Sequence, residues 1–274
     1  MASFSFIVGS ACAAVLALVF AITHAPSSDS SATPLGSGQM FDAIAKRYDM
    51  INTALSLGMH HMWRTQMVEA VHLKPGDTVL DAGTGTADVA IAVAQYLEKL
   101  NGKSLDAEDV VIGVDPSQNM LDVGRDKIAA AGLNAKSVRL VHGDAQDLSD
   151  SLPPGMLFDV ATMSFAIRNV PDRRKAIQQI ADRLRPGGRL AVLELCQPSF
   201  LPARLFVKYA VPMIGALMSG GAMREYAHLE KSVLDFDAKA FESVVTGAGL
   251  ELVEVTSINF GTVTLYVGKK PAAA

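Results

Sequence analysis

Five short apolar runs punctuate the middle of the chain: DTVLDAG (residues 77–83), DVVIGVD (109–115), SVRLVHGD (137–144), FDVATMSF (158–165) and RLAVLEL (189–195). Runs this short, rich in Val, Leu and Ile and with little polar alternation, are the pattern of strands buried on both faces. Between them, residues 86–100, 117–131 and 172–184 carry apolar residues at helical spacing, and the last stretch is closed by a stop signal and turn, Arg185-Pro186-Gly187-Gly188. Strands alternating with helices predict an α/β architecture: a parallel sheet covered on both faces. Near the C-terminus, LELVEVTSI (250–258) and GTVTLYVG (261–268) meet around Asn259-Phe260-Gly261 and predict an antiparallel hairpin closing one edge.

Ahead of the sheet, residues 41–71 place Phe41, Ile44, Ala45 and Tyr48, then Trp63, Met67 and Val71, at helical spacing. The break at Ser56-Leu57-Gly58 predicts two helices, with His60 and His61 in a loop beside it. A metal role for that histidine pair requires further ligands at suitable spacing, and none is evident, so no metal is expected. Residues 25–39 form a Ser/Pro/Gly linker too polar to order itself. Residues 4–22 carry no charge and approach the roughly 20 residues that cross a bilayer as a helix. Residues 1–24 are therefore expected to be a hydrophobic anchor or signal, with the folded domain spanning 40–270. The first Lys or Arg is Lys46, and the weak cleavage candidate Thr23-His24-Ala25 is followed by Pro26, which favours an uncleaved anchor. The lack of Arg argues against a mitochondrial transit peptide.

Composition narrows the function classes. Half of the 274 residues are apolar, ample for a core without staples. A net charge of −4 with mixed acids and bases offers no basic stripe, so nucleic acid is not an expected partner. Cys12 and Cys196 lie in unrelated contexts, which supports neither a disulfide framework nor a zinc site.

The candidate chemistry starts at the first strand end, VLDAGTGTAD (79–88). In open α/β sheets the ligand lies beyond the carboxyl ends of the strands, where strand order reverses. Gly83 and Gly85 permit a tight turn and a close approach to a ligand, although a strand-to-helix turn with no ligand has the same signature. A dinucleotide fingerprint needs a third glycine where Asp88 stands, and Asp81 precedes the loop. Carboxylates there repel a pyrophosphate and favour the ammonium and sulfonium of S-adenosylmethionine. The second strand end offers Asp115 to accept both ribose hydroxyls and Met120 to cover the adenine. The third offers Asp144 to accept the adenine amino proton, with Ala145 as a backbone contact. Any one of these fits an ordinary polar strand end or helix cap; acids at three successive strand ends point to the cofactor.

Beyond that loop, FDAIAKRYDMIN (41–52), LSLGMHHMWR (55–64), FAIRNVPD (165–172), LRPGGRLAVLE (184–194) and EYAHLEKSV (225–233) carry a more specific likeness. Across 40–270 the sequence resembles the ubiquinone/menaquinone biosynthesis C-methyltransferase family. The resemblance implies a Rossmann-like class I SAM methyltransferase fold, a seven-stranded, mostly parallel sheet with one antiparallel edge strand. It also implies S-adenosyl-L-methionine as cofactor, with contacts from Thr86, Asp115, Asp144, Ala145 and Ser164. Thr84 and Ala87 stand where many members have glycine, His228 stands where Tyr is usual, and Cys196-Gln197 replace Phe-Ser. Residues 98–109 look like a surface insertion.

The fourth strand is expected to deliver Arg168 and Asn169 to the carboxyl end of the sheet. A guanidinium in an apolar cleft needs an anion or an oxygen-rich partner, which a quinol ring supplies. Arg168 is therefore expected to stabilise a phenolate during ring C-methylation and Asn169 to position the oxygen. The competing account pairs Arg168 with an acid such as Asp172 to pin the next helix. Tyr48, Asp49, Asn52, Tyr226 and His228 are candidates for the quinol pocket, and the apolar stretch 198–222 for a lid or tunnel wall facing the membrane, or else an ordinary core helix. The expected partners are a polyprenylated quinol and the membrane, with a homodimer or a quinone-synthesis complex as the assembly. In a eukaryotic cell the membrane would be the mitochondrial inner membrane or that of a plastid. A methyltransferase for another lipid or small acceptor would dispense with the RNV and EYAHLEKSV segments. A non-catalytic SAM-binding subunit of a quinone-synthesis complex would not need an intact RNV.

Overall fold

The computed structural model describes residues 38–211, 213–214 and 223–272, with the backbone alone for 43 and 223–227. The apolar segment 4–22, the linker up to residue 37, and positions 212 and 215–222 of the later apolar stretch lie outside the described residues. Among the described residues, no helix is long and apolar enough to cross a membrane.

The predicted strands all form: β1 (Val79–Ala82), β2 (Val111–Asp115), β3 (Val138–His142), β4 (Phe158–Ser164), β5 (Leu184–Leu195), β6 (Glu251–Ile258) and β7 (Val263–Lys269). They make one seven-stranded sheet in the order β3-β2-β1-β4-β5-β7-β6. The first five are parallel, and β7 is antiparallel to both β5 and β6. The hairpin closes the sheet as expected, with one refinement: it folds back so that the antiparallel strand lies one position in from the edge. The edge itself, β6, is largely exposed.

Alternate residues along each strand feed two apolar layers, as a pleated sheet requires. Val79, Val111, Val138 and Val160 point to one face, where they meet Trp63, Met67, Val93 and Leu97. Leu80, Ile112, Ala161 and Met163 point to the other, against Ile177, Ile180, Phe241 and Val245.

Local signals set the helix ends. Helix α1 (Gly38–Ser56) stops at Leu57 and Gly58, both in the left-handed region (φ 51° and 77°), and α2 (Met59–Ala70) restarts at once. Two such residues suffice for the reversal, so His60 and His61 belong to the first turn of α2 and not to a loop. Helix α3 (Asp88–Asn101) begins two residues later than the spacing predicts, because Ala87 is left-handed (φ 64°). Ser117 caps α4 (Gln118–Ala130) by accepting from the Met120 amide, and Asp172 caps α5 (Arg173–Asp182) by accepting from the Lys175 amide. A short helix α6 (Leu201–Leu205) runs into a π-helical turn (Phe206–Ala210), followed by α7 (Met223–Leu234) and α8 (Ala238–Gly247). The stretch 98–109 lies largely at the surface and is anchored at Leu105. Leu105 is buried, its amide donates to Glu98 Oε1 at 3.1 Å and its carbonyl accepts from Ser137 Oγ at 2.9 Å.

Candidate active site

The strand order reverses at β1, whose neighbours are β2 and β4, and the glycine loop emerges there. The Gly83 and Thr84 amides donate to the Val114 carbonyl at 2.8 and 3.1 Å, tying the loop across to β2. Gly83 (φ 68°) tolerates no side chain, since a Cβ there would lie 2.6 Å from the Ala166 Cβ. Asp115 Oδ2 accepts from the Gly85 amide at 2.8 Å and Oδ1 from the Ser117 amide at 2.9 Å, so one carboxylate bridges the loop and the start of α4. Burial still pushes the Asp115 carboxyl up to about 6.

A cavity of about 290 Å³ opens beyond these strand ends. Its walls include Gly83, Gly85, Asp115, Met120, Asp144, Ala145, Ser164 and Asn169, all expected from the sequence. Among the described residues, two carboxylates and no Lys, Arg or His side chain line it. That charge pattern suits a cationic ligand and repels a pyrophosphate. The Ser164 hydroxyl is buried there without a hydrogen-bond partner. Helix α1 covers the opening with Gly38, Phe41 and Tyr48. Asp42 Oδ1 pins it there, accepting from Ser117 Oγ at 2.6 Å and from the Asn119 amide at 2.9 Å.

Other expected contacts sit behind the wall instead of on it. Asp81 is fully enclosed beneath the loop and accepts from Thr84 Oγ1 at 2.6 Å and Thr162 Oγ1 at 2.7 Å. Burial raises its carboxyl to about 6, and it shapes the turn from below. Asp88 requires a correction: it faces Arg64 and Lys127, which neutralise it. Burial works to raise its carboxyl, but the two cations hold it below the ordinary range. Asp49 belongs to the same cluster rather than to a substrate pocket, accepting from Lys127 Nζ at 2.7 Å and Thr86 Oγ1 at 2.8 Å. Thr86 is thereby also turned away from the cavity. The cluster fastens α1 and α2 to α3 and α4 around the loop.

A second, larger cavity of about 530 Å³ adjoins the first, sharing Tyr48 and Phe165 as wall residues. Its lining is mostly apolar and includes Leu55, Leu195, Val207, Leu229 and Val233, with Asn52 among the few polar groups. Ala203, Phe206, Val207 and Val211 bring the described part of the stretch 198–222 to this wall. Arg168 also lines it. Its Nη1 donates to Glu194 Oε1 at 2.7 Å and to the Phe165 carbonyl at 2.6 Å, while its buried Nε meets no partner. The acid that pairs with Arg168 is thus Glu194 at the end of β5, and Asp172 instead caps a helix. His228 Nε2 lies 3.2 Å from Asn169 Oδ1, and burial, then Arg168 and Lys231, lower its basicity. Tyr226 lies on α7, but its side chain is outside the described residues.

Several wall residues have no place in the pockets expected from the sequence, where His60 is weighed only as a metal ligand. Phe165 adopts a left-handed conformation (φ 56°) and stands between the two cavities, its ring edge-on to Trp63 at 6.2 Å and 5.8 Å from the Arg64 guanidinium. Such backbone strain in a bulky residue clusters at functional sites. Trp63, Arg64 and His60 line the larger cavity from α2. Trp63 had a helical-spacing signal, but nothing in the sequence marks which face of α2 turns inward.

Comparison with known proteins accords with this geometry. Curated demethylmenaquinone methyltransferases of Bacillus cereus and Bacillus anthracis are each 35% identical to the chain over 237 residues, covering 85% of this chain and 94% of theirs. Among solved structures, the [4+2]-cyclase SpnF aligns with a TM-score of 0.60 at 17% identity, covering 89% of this chain and all of that one. A SAM-dependent methyltransferase from Thermotoga maritima aligns at 0.55 and 20%, covering 85% and 98%, and both show a shared fold. The fold is that of class I methyltransferases, and the carboxylate-lined cavity fits S-adenosyl-L-methionine as cofactor. The model of the ubiE/COQ5 methyltransferase family matches residues 31–270, and the chain belongs to that family of SAM-dependent quinone C-methyltransferases.

Proposed function

We propose that the chain methylates a ring carbon of a polyprenylated naphthoquinol of the demethylmenaquinol class. The observation that carries this reading is the meeting of two cavities of opposite character at Tyr48 and Phe165. One is lined by carboxylates and suits a cationic methyl donor; the other is apolar and large enough for an organic acceptor. The names of the Bacillus relatives favour the naphthoquinol over a benzoquinol head group.

S-adenosylmethionine supplies an electrophilic methyl group, taken by a carbon nucleophile while the bonding pair stays on sulfur. Asp115 and Asp144 hold the ribose and adenine ends, Met120 and Ala145 flank the base, and Gly83, Gly85 and Ser164 border the reacting end. Arg168 donates from Nε to a ring oxygen, stabilising the negative charge that develops there as its hydroxyl proton departs during methyl transfer to the adjacent carbon. Glu194 cancels much of its charge and fixes its plane, so Arg168 acts as an oriented donor rather than a free cation. Asn169, braced by His228, positions the same oxygen. Tyr48 and Asn52 line the ring, and residues 203–211 lead its tail outward.

The tail has to reach a bilayer. Leu57, Met59, Phe206 and Phe260 are exposed around the larger cavity, and Leu57 and Phe260 hold left-handed turn positions that bulky apolar residues rarely occupy. An apolar rim of this kind suits contact with lipid, and the uncharged residues 4–22 would tether the enzyme beside its substrate.

Quinone profiling of cells lacking the protein tests the assignment. The expected result is accumulation of a demethylated naphthoquinone, cured by the wild-type gene. Accumulation of a benzoquinone precursor would overturn the head group, and an unchanged quinone pool would overturn the reading.

A further inference from the structure

Among the described residues, the buried side-chain polar atoms without a hydrogen-bond partner are Trp63 Nε1, Arg64 Nε, Ser164 Oγ and Arg168 Nε. All four residues line the two cavities, and two of them, Trp63 and Arg64, belong to α2. His60, Trp63 and Arg64 stand at i, i+3 and i+4 and so share one helix face. Each is nearly buried and each lines the larger cavity. Burying a donor without a partner is costly, so an unpaired cluster on a cavity wall marks where an oxygen-bearing ligand belongs.

His60 differs from its neighbours because the bonding around Nδ1 favours one tautomer. Ser56 Oγ lies 2.7 Å from the Asn52 carbonyl and 2.7 Å from His60 Nδ1. A carbonyl only accepts, so the single hydroxyl hydrogen goes to Asn52, and Nδ1 must bring its own hydrogen to Ser56. Nε2 is then an unprotonated lone pair, in a side chain that faces the acceptor cavity.

We propose that His60 is the proton acceptor of the reaction: Nε2 receives the hydroxyl hydrogen of the acceptor ring while Trp63 Nε1 and Arg64 Nε donate to the same oxygen. This rests on the quinol reading above. As the ring carbon takes the methyl group, the ring loses electron density and its hydroxyl becomes strongly acidic. The O–H bond breaks, its proton passes to Nε2 and its electron pair becomes the carbonyl bond of a dienone. The methylated carbon then loses its own hydrogen to water as a proton, and the imidazolium returns the first proton to the oxygen, restoring the aromatic ring. The net change is one proton released per methyl group.

A base in this role must be neutral before the step, and it need not be strong, because the proton it takes has become acidic. Burial, then Arg64 and His61, lower the His60 imidazole to about 4 against the smaller opposing pull of Asp88 and Asp49. Those four groups, with Arg168 on the same cavity wall, are the charges around it.

The test uses the full-length protein and a short-tailed demethylnaphthoquinol. His60→Gln is expected to lower kcat by at least about 100-fold, within the range for general base catalysis, with KM for the acceptor and Kd for S-adenosylmethionine within about threefold. Imidazole added to His60→Ala is expected to restore part of the rate. Nitrogen NMR of the wild-type protein without cofactor is expected to show the Nδ1–H tautomer at His60, and Ser56→Ala to populate the other tautomer. An Nε2–H tautomer in the wild type, or normal kcat in a folded His60→Gln, would overturn the proposal. Failure of the wild type itself to methylate the naphthoquinol would overturn the functional reading instead, while the tautomer measurement stands apart from turnover.

Discussion

Arg168 and Glu194 form an ion pair at 2.7 Å with side chains 6% and 0% exposed, reaching from the turn after β4 to the end of β5. Glu194 Oε1 also accepts from the Leu195 amide at 2.7 Å and Oε2 from the Arg168 amide at 3.1 Å, so its carboxylate is bound from three sides. Removing one member of such a pair leaves the other charged and dry. Glu194→Leu is expected to cost about 3–5 kcal/mol in chemical denaturation. The double variant Arg168→Met/Glu194→Leu should recover much of that stability while remaining inactive, and a simple sum of the two single losses would argue against the pairing.

The Asp88 cluster governs acid stability. Its carboxyl is depressed by Arg64 and Lys127, so its contribution is present above the unfolded value of 3.8 and is lost as pH falls through the folded value. Asp88→Asn should lower stability by about 1–3 kcal/mol at pH 7. The gap between wild type and variant should begin to narrow as pH falls past 3.8 and vanish once pH is below the depressed folded value, where the native carboxyl is neutral too. Melting curves at matched pH values check both halves of this expectation.

Asp115 should make cofactor affinity depend on pH as well, in the same direction but in a higher window. Its carboxyl is raised to about 6, and in the proposed role only the ionised form accepts from both ribose hydroxyls. The competent fraction therefore grows between pH 5 and 7, and Kd should tighten roughly tenfold over that span. Calorimetric titration with S-adenosylmethionine measures it, and Asp115→Asn should bind weakly with a flatter pH dependence.

The rim of the larger cavity can be probed without touching its interior. Leu57 and Phe260 are 83% and 72% exposed, and asparagine suits their left-handed backbone better than the native side chains do. Leu57→Asn/Phe260→Asn should leave folding intact. With a long-tailed acceptor in vesicles KM should rise about tenfold, equivalent to about 1.4 kcal/mol of lost apolar contact, while a short-tailed acceptor in buffer should show no such rise.

What could be read from the linear chain follows from periodicity and local chemistry. Val79-Leu80, Val111-Ile112 and Phe158 to Ser164 announce buried strands because a strand covered on both faces has no polar side. Gly83 and Gly85 announce the turn because the backbone there needs φ values that side chains resist. Asp115, Asp144 and Met120 follow from position, since strand ends at the switch point must face the cleft. The sequence by itself therefore determined the sheet, the loop and the sign of the charge around the cofactor. Only the tertiary structure decided which acids face that cleft and which are spent on neighbours: Asp88 and Asp49 pair with Lys127, and Asp88 also with Arg64, across helix contacts that no local pattern encodes. It likewise matched Arg168 with Glu194, 26 positions along the chain, and turned His60, Trp63 and Arg64 toward the larger cavity. Ion pairing and helix rotation depend on what lies opposite in space, and a one-dimensional pattern carries no record of that.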